Sequence, residues 1–438
     1  MTRKRFPRAL QVTSALVPAL LAAAPAAAQS LDELQRQIET LQQQVDELKA
    51  ADRKQAAESD IRLKWGPAPQ ISSADGRFSM KLRGRLFVDA AWMSDDDGAY
   101  DVDATEFRAA RLGIEGKAWN NVKYKFEVDF AGNEVDLKDT LIGYDAGIVG
   151  IDVGYFKTFN SLDEQTSSRY TTFMERASFT DAFALDRQTG IGLGFGGDNW
   201  TASFGAFKGG SDNASGDLGE TYAARVTFGD VIKEMNAAYH IGASYRYRKT
   251  GADEGNFRYR QRAHQHLAPT RLVDTGAFAD KDQLFGFELA GVYGPFSAQA
   301  EYAVLKADRA NPDPAFDDPS FKGWYVDGSW FITGESRKYE ADKGAFGRVR
   351  VNNPVTEGGF GAWQVAARYD VIDLSDENVF GGKQKTWIVG VNWHLNDYSR
   401  IMMNYSKSDI SDAFNVAANG ADGENDVDAF GIRFQVDW

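Results

Sequence analysis

Between residues 122 and 130, apolar and charged side chains alternate without interruption in the order V-K-Y-K-F-E-V-D-F. A β-strand places successive side chains on opposite faces, so this segment predicts a strand with one apolar face and one charged face. Residues 428–438 repeat the alternation and end on the aromatic Trp438. Strands of this kind are typical of outer-membrane barrels, in which one face meets lipid and the other faces the lumen.

Segments with the same alternation recur along the whole chain after residue 76. They predict an all-β fold, a 16-stranded antiparallel transmembrane β-barrel over residues 77–438, in which tight turns on one side and long polar loops on the other match a bacterial barrel. Two connections on the tight side, 229–238 and 334–359, do not fit this rule. The predicted strands lie near 77–93, 104–119, 121–131, 138–146, 148–156, 188–196, 199–208, 219–228, 239–249, 282–293, 296–306, 322–335, 360–372, 384–394, 399–409 and 426–438.

Composition excludes several other classes of protein. The mean hydropathy of −0.43 and the lack of an 18-residue apolar run after the N-terminus argue against a helical membrane protein. The chain has no cysteine, which removes disulfides and thiolate metal ligands, and we expect neither a metal nor a cofactor. Its formal net charge of −14 argues against nucleic acid as a partner.

The N-terminus predicts export from the cytoplasm. Basic residues at positions 3, 4, 5 and 8 precede an apolar run over 9–24, and three alanines stand before Gln29. This is the pattern of a secretory signal peptide with a small-residue cleavage site, which we place at residues 1–28. The mature protein is therefore expected in the outer membrane of a Gram-negative cell.

Residues 29–60 carry a heptad pattern. Apolar residues recur at steps of three and four, which predicts a periplasmic coiled-coil helix, with an amphipathic helix packed on the barrel as the alternative. The segment 30–54 is either a clamp that holds subunits together or a tether for periplasmic envelope contacts. A linker, residues 61–76, follows it and contains W-G-P-A-P at 65–69. The residues of the heptad seam are Leu31, Leu34, Ile38, Leu41, Val45 and Leu48.

Several separate motifs, in order, resemble the phosphate- and polyphosphate-selective porins known as the O/P porins. The resemblance implies a homotrimer of sixteen-stranded barrels, each with its own pore, often preceded by a short coiled coil. It also implies a long third loop folded into the lumen and arginines along the path of anions. The motifs are F-R-A-A-R-L-G at 107–113, E-G-K at 115–117, S-S-R-Y at 167–170, F-M-E-R-A at 173–177, R-L-V-D-T-G at 271–276, Y-G-P-F at 293–296, T-G-E-S-R-K-Y at 333–339, G-A-W at 361–363 and R-Y at 368–369.

The third long loop, residues 157–187, is the constriction that the resemblance implies. A surface loop of mixed charge is the alternative, although loops of this length in compact domains are usually functional or disordered. The strand after it carries alternating glycines and spells G-x-G-x-x-G at 192–197, but a further strand follows where a dinucleotide site requires a helix. Because glycine has no side chain, we expect these positions to leave space on the lumen wall for another segment of backbone to lie close against it. The charged residues assigned to the constriction are Lys157, Arg169, Arg176, Arg187, Asp163 and Glu164.

The lumen-facing side of the clearest strands carries more Lys and Arg than Asp and Glu, although the whole chain is acidic. Guanidinium groups stay charged and present a fork of donors to phosphate or carboxylate oxygens, and rings of cations are how anion pores select. For any single arginine, pairing with a lumen carboxylate is an equally good interpretation. The predicted anion pathway comprises Arg225, Arg246, Arg248, Arg258, Arg260, Arg262, Lys123, Lys125, Arg83 and Arg85.

These observations predict a passive porin with a water-filled, anion-preferring channel for phosphate, polyphosphate or other small anions. Its other partners would be outer-membrane lipid and further copies of itself. Acidic runs in the outer loops, at 95–97, 253–254 and 317–318, would repel phosphate, so a general small-solute porin with weak selectivity stays open. A barrel that tethers the envelope through its coiled coil is another alternative. An enzyme is not expected, because no G-x-S-x-G occurs and the histidines, His240, His264, His266 and His394, mark no Ser-His pair.

Overall fold

The computed structural model describes residues 31–58, 61–96, 98, 101–211 and 216–438, so the predicted signal peptide lies outside the described residues. The chain divides into two compact units, residues 1–60 and 61–438. In the first unit, helix α1 spans Leu31–Glu58. None of the helices described is both long enough and apolar enough to cross a membrane.

Four residues of the predicted heptad seam on helix α1 are exposed. Ile38, Leu41, Val45 and Leu48 are each about half exposed or more, with Leu48 at 66%. An isolated helix gains little from such a stripe, because most helical stability in proteins comes from packing an apolar face. The helix is present, and its association into a coiled coil stays a prediction.

The second unit is built almost entirely from strands. Sixteen of those described form the wall of a closed antiparallel barrel, which confirms the predicted fold, while β1, β2, β12, β16 and β17 are short additions. The strands are β1 Ile61–Lys64, β2 Gln70–Ser73, β3 Ser79–Asp95, β4 Val102–Ala118, β5 Val122–Asp129, β6 Asp136–Asp145, β7 Val149–Lys157, β8 Arg187–Gly196, β9 Trp200–Phe207, β10 Glu220–Ile232, β11 Ala237–Lys249, β12 Phe257–Gln261, β13 Val273–Tyr293, β14 Phe296–Arg309, β15 Ser320–Phe331, β16 Tyr339–Glu340, β17 Ala345–Phe346, β18 Ala362–Asp376, β19 Val379–Asn396, β20 Ser399–Ser411 and β21 Asn425–Asp437.

The alternation in sequence decides which side chains face outward. In β10, Tyr222, Val226 and Phe228 are about half exposed on the outer surface, while Arg225 between them is buried inside. In β19, Trp387 is outside and 62% exposed, and the neighbouring Thr386 is fully buried. The predicted inner and outer faces are therefore correct on these strands.

The barrel closes between its first and last wall strands. β21 pairs with β3, and the pairing continues to Trp438, which exchanges backbone hydrogen bonds of 3.1 and 3.0 Å with Gly84. The indole ring lies over this glycine, where an added Cβ would come within 2.2 Å of a ring carbon. A glycine is therefore required on β3 for the terminal aromatic ring to pack at the seam.

The stretch 61–76, predicted to be a linker, is instead ordered against the barrel. Strands β1 and β2 form a hairpin, and β2 pairs with the start of β3 through Ile71 opposite Met80. The Gly-Pro sequence at 66–67, interpreted as a helix breaker and linker, lies in the turn of this hairpin. The first residues of β3 lie beyond the last residue of β3 that pairs with β21. The hydrogen-bonding edge of these residues is therefore free to pair with β2.

Both connections that did not fit the turn rule are explained. β10 runs on to Ile232, so the first connection is a short turn that ends at Asn236 in the left-handed conformation, with φ of 46°. The second, residues 332–361, enters the barrel from the tight-turn side and contains the hairpin β16–β17. We call residues 332–361 the inner segment. Inside the barrel its Phe346 packs with Leu162 of the third long loop.

The largest apolar core lies within the barrel. Residues 158–186, which we call the constriction loop, contain the short helices α2 (Leu162–Gln165) and α3 (Ser178–Ala182). Phe179 and Phe183 of this loop pack against Tyr259 and against inward-facing Leu305 and Phe321 of the wall, and all five are almost completely buried. The loop therefore fills one side of the lumen and leaves the channel on the other.

Candidate functional site

The remaining space in the barrel is a cavity of about 1380 Å³ that follows one wall. Strands β3–β7, the constriction loop, residues 258–271 and the inner segment border it. Twenty of its described lining residues are Lys or Arg and eight are Asp or Glu, although the whole chain carries a net charge of −14. The cations are Lys64, Lys81, Arg83, Arg85, Arg108, Arg111, Lys125, Lys138, Lys157, Arg169, Arg176, Arg187, Arg258, Arg260, Arg262, Arg271, Lys343, Arg348, Arg350 and Arg433, and the acids are Glu115, Asp139, Asp152, Glu164, Glu175, Asp181, Asp186 and Glu340.

Side chains of the barrel wall hold the backbone of the constriction loop in place. Glu301 of β14 accepts the backbone N–H groups of Leu162 and Asp163 at 2.9 and 2.7 Å. Asn404 of β20 accepts the N–H of Met174 at 2.8 Å. Because buried backbone groups must be paired, these contacts fix where the loop crosses the lumen.

The charged residues predicted for the constriction lie as follows. Lys157 and Arg176 share Glu164, at 2.8 and 3.0 Å, and Arg187 pairs with Asp139 at 2.8 Å. Arg169 is 3.6 Å from Asp437. These residues border the cavity, except Asp437. Asp163 does not border it either, because its carboxylate is buried and accepts the N–H of Ala177 at 2.9 Å.

The inner face of β3–β8 that borders the cavity is called the open wall. Arg83, Arg85 and Arg111 converge there on the buried carboxylate of Glu127, at 3.2, 3.3 and 3.3 Å. Arg85 also donates to the hydroxyl of Ser168 in the constriction loop at 2.8 Å. Arg83 also pairs with Glu115, and Arg111 pairs with Asp129 at 2.7 Å. The three arginines therefore form one network with three carboxylates, and the surplus of positive charge belongs to the cavity lining as a whole.

Sharing of this kind continues around the open wall. Lys125 and Arg187 both pair with Asp139, and Lys123 pairs with Asp152 at 2.9 Å. Of the predicted pathway residues on the open wall, Arg83, Arg85 and Lys125 line the cavity. Lys123 lies on the same inner face, nearer the tight-turn end of its strand.

The inner face of β10–β18, behind the constriction loop, is called the filled wall. It carries Arg225, Arg246 and Arg248, the predicted arginine ladder, and none of the three borders the cavity. Arg225 pairs with Glu288 at 2.6 Å, and Arg248 pairs with Asp282. Arg246 donates to the carbonyl oxygens of residues 183 and 184 in the loop at 2.7 and 3.0 Å. The three arginines lie on the inner face of the wall, where Arg246 contacts the constriction loop and Arg225 donates to the carbonyl oxygen of Gly344 in the inner segment at 2.8 Å.

The arginines at 258, 260 and 262 do line the cavity. Arg258 pairs with Asp274 at 2.5 Å, and Arg262 is 3.7 Å from Asp181. Arg260 is exposed and makes no ion pair with a described residue. Burial and the nearby Arg271 lower the pKa of Arg262 from its ordinary value, which reflects crowding of positive charge at this point.

Glu175 is an acid at the cavity that the sequence did not single out. It lies on the constriction loop, 3.0 Å from Arg433 and 3.5 Å from Arg108. Burial would raise its pKa, but Arg108, Arg433 and His266 outweigh that effect and lower the pKa to about 2. The carboxylate therefore stays ionised at neutral pH and offsets part of the surrounding positive charge.

The inner segment supplies cations that sequence reasoning missed. Arg348 pairs with Asp437 and lies between the rings of Tyr170 and Tyr398, 5.2 and 4.3 Å from their centroids. Arg350 pairs with Asp397 at 2.5 Å and its side chain is 73% exposed. The one available signal was the length of this connection, about thirty residues where a tight turn was expected.

The described residues contain no cluster of His, Asp and Glu arranged to hold a metal ion. They do contain a Ser-His contact, with Oγ of Ser178 2.8 Å from Nε2 of His264. The nearest carboxylate, Asp370, approaches the same Nε2 at 3.8 Å, whereas a catalytic triad places the acid on the other ring nitrogen. All three side chains are buried, so the geometry is that of a structural contact.

Comparisons with known proteins agree with this architecture. The family model described as phosphate-selective porin O and P matches residues 80–438. Porin O of Pseudomonas aeruginosa is 30% identical over 423 residues, which cover 86% of this chain and 92% of that protein. An anion-selective porin from Comamonas acidovorans shares the fold with a TM-score of 0.53 and 13% identity, covering 82% of this chain and 99% of that one. OmpT of Vibrio cholerae, solved in a trimer form, gives a TM-score of 0.50 at 14% identity and covers 82% of this chain and 99% of its own.

Proposed function

Because the chain belongs to the family of phosphate-selective porins O and P, we propose that its open wall is the path by which small anions, phosphate among them, cross the outer membrane. The protein is a passive outer-membrane channel of this family. The observation that carries the proposal is the excess of twenty cations over eight acids along the cavity of an acidic chain. Rings of Arg and Lys select anions, and many weak sites in a row permit release as well as entry.

The proposed pathway differs from the arginine ladder that the alternation of side chains along the strands predicted. Anions pass Arg258, Arg260 and Arg262 near the long-loop side, then the constriction between Arg85 and the loop residues Arg169 and Arg176. They leave along the lysines of the tight-turn side, such as Lys81, Lys123 and Lys125. Arg246 serves the pathway indirectly, since it holds the backbone of the loop that narrows it. Arg225 holds the inner segment through the carbonyl oxygen of Gly344, and Arg248 stays paired with Asp282 in the filled wall.

Reconstitution in a planar bilayer tests this function. Under a KCl gradient the reversal potential is expected to favour Cl⁻, and cation preference would contradict the proposal. Adding phosphate is expected to reduce the chloride current, because phosphate oxygens accept several guanidinium and ammonium hydrogen bonds at once. A chloride current that phosphate leaves unchanged would favour a general small-solute porin, which the ion-paired state of most lining cations supports.

The N-terminal region suggests how subunits assemble. Residues 1–28 are proposed to be a cleaved signal peptide, and the exposed seam of α1 is proposed to associate with the same helix in further subunits of a homotrimer. A trimer form is reported for the structural neighbour OmpT. An envelope tether is the second candidate for α1, because an uncovered apolar stripe also suits a foreign helix.

Deleting residues 30–60 distinguishes the two roles of this helix. If trimers separate on gel filtration while monomers still conduct, the helix is a clamp. If trimers persist and the barrel no longer stays attached to isolated envelopes, the helix is a tether. The barrel itself is expected to fold in both cases, because residues 61–438 form a compact unit of their own.

A further inference from the structure

Among the described strand residues, outward-facing lysines at the long-loop end of the barrel lie on β11–β20. They share their face with exposed apolar residues such as Ile241, Leu289 and Trp387, so they point away from the channel. On β3–β8, the described residues at this level and on this face include Ser94, Asp103, Thr105 and Thr189, with no Lys or Arg among them. The outward lysines are Lys249, Lys281, Lys306, Lys322, Lys383, Lys385 and Lys407.

Aromatic residues fix the depth of these lysines. On the outer face, a ring lies two positions nearer the middle of the barrel than Lys249, Lys322, Lys385 and Lys407, and on β13 and β14 the first rings, Phe285 and Tyr302, lie four positions from Lys281 and Lys306. Such girdles mark the boundary between the apolar membrane and water. Two to four residues span roughly 7–13 Å along a strand, so the lysine ends reach the level of the lipid headgroups. The rings of this row include Tyr247, Trp324, Tyr369, Trp387 and Tyr405.

Three of the lysines form a cluster without a protein partner. Lys249 of β11 lies directly opposite Lys281 of β13, and Lys306 of β14 lies opposite Gln283, one step along the same face. None of the three makes an ion pair with a described residue. Like charges directly opposite each other destabilise a strand pair. A bound anion at this cluster would therefore stabilise the pairing of β11 with β13.

The acids at the same level form no ion pair with this cluster among the described residues. Glu220 lies opposite Lys249 and Asp308 opposite Lys281, but neither is within ion-pair distance of a cluster lysine. Glu220 instead accepts the hydroxyl of Tyr222 at 3.1 Å. The lysines farther round the barrel are different, since Lys383 is 2.9 Å from Asp373 and Lys407 is 3.7 Å from Asp426.

We propose that Lys249, Lys281 and Lys306 form an outward-facing site for the phosphate group of a membrane lipid headgroup. An ammonium group is a compact charge with three donors, so three of them at one depth complement a phosphate with several free oxygens. The bound phosphate would remove the repulsion across β11 and β13. The site lies on the opposite face of the sheet from the channel, so it goes beyond the transport function and does not depend on which anion passes.

The test measures binding of phosphatidic acid to the full-length protein in detergent, with phosphatidylcholine of the same acyl chains as the reference lipid. Native mass spectrometry gives the number and affinity of retained lipids. The wild type is expected to prefer phosphatidic acid, and the triple variant K249Q/K281Q/K306Q to lose about tenfold in affinity, since each surface lysine attracts anionic headgroups. Its chloride conductance is expected to equal that of the wild type, because these side chains face away from the lumen.

Two further variants make the result decisive. K322Q/K383Q/K407Q removes three lysines at the same depth that already have carboxylate partners, and it should bind phosphatidic acid as the wild type does. K64Q/K81Q/K123Q removes three lysines of the inner face and should also bind normally. Equal loss in the paired-lysine variant would mean a diffuse charge effect and would overturn the site, and loss confined to the inner-face variant would place the lipid phosphate in the channel and overturn it equally. Unchanged binding in K249Q/K281Q/K306Q would also reject the proposal.

Discussion

The open wall and the filled wall carry the same kinds of residue on the same face of one sheet, yet they have different roles. On the open wall the cations border the cavity, and three of them, Arg83, Arg85 and Arg111, share Glu127. On the filled wall Arg225 is buried against Glu288, and Arg246 donates to backbone carbonyl oxygens of the constriction loop. The comparison indicates that an inward arginine borders the cavity where the constriction loop and the inner segment leave part of its side chain uncovered, as they do at Arg85.

The largest difference between the two walls is expected in the free energy of unfolding, when one carboxylate is removed from each wall. Glu288→Gln leaves Arg225 buried without its counter-charge and should cost about 3–5 kcal/mol of unfolding free energy. Glu115→Gln on the open wall removes a partly exposed acid that Arg83 can replace with Glu127, so its cost should stay below about 1 kcal/mol. Urea unfolding of the barrel in lipid vesicles measures both, and equal costs would remove the distinction between the walls.

A second pair of variants tests the contact between the constriction loop and its neighbouring glycine strand. A Cβ at Gly192 would come within 2.8 Å of the ring of Phe159 and 3.0 Å of Phe156, whereas Gly194 has nothing within 4 Å. Gly192→Val should therefore destabilise the barrel by about 1–3 kcal/mol through overpacking and alter single-channel conductance. Gly194→Val serves as the matched control and should leave stability almost unchanged. Comparable melting temperatures for both variants would argue that the loop entrance is not tightly packed.

A smaller effect is expected from Arg260, whose charge faces the cavity and makes no ion pair with a described residue. A unit charge about 10 Å from a passing ion in water contributes about 0.4 kcal/mol, with opposite sign for Cl⁻ and K⁺, so Arg260→Gln should lower the chloride-to-potassium permeability ratio roughly fourfold. Arg246→Gln on the filled wall should leave the ratio of the folded protein unchanged. Reversal potentials of the two variants, recorded under the same gradient, decide whether position relative to the loop governs selectivity.

The smallest effect concerns acid pH and Glu175. Its pKa is lowered to about 2 in the folded protein, so the stability that its ion pairs supply is complete above the ordinary value of 4.5. That contribution declines only as the pH falls from about 4.5 towards 2. The difference in permeability ratio between the wild type and Glu175→Gln should accordingly stay constant from neutral pH down to about pH 3, because the folded protein keeps Glu175 ionised in that range. A difference that disappears near pH 4.5 would show that the arginines around Glu175 do not lower its pKa.

The sequence predicted those features that depend on alternation. Period-two patterning located the sixteen wall strands and told the lumen side of Arg225 or Lys125 from the lipid side. It could not tell which lumen positions the third loop covers, because that depends on contacts between distant residues, such as Asn404 with Met174. The bare glycine wall was predicted next to a backbone, but aromatic rings occupy that space, since Phe156, Phe159 and Phe207 pack there.

The cations of the inner segment were missed for a similar reason. Residues 332–361 carry no long alternating run, and their position follows from contacts such as Arg348 with Asp437 and Tyr170. The sequence did show that this connection is much longer than the short turns expected on that side of the barrel. An unusually long connection on the tight-turn side of a barrel is thus worth treating as an inward element from the start.

The apolar core inside the barrel has a mechanical consequence. A hollow barrel resists flattening only through its hydrogen-bonded strands, whereas one side of this barrel is braced from within, because Phe179 and Phe183 of the constriction loop pack against Phe321 of the wall. Lateral pressure from the membrane therefore acts on a packed apolar core on one side of the barrel and on the water-filled cavity on the other. Any deformation would be taken up where the channel runs, which makes the bore of the pore, rather than the buttressed half, the part most responsive to tension in the surrounding bilayer.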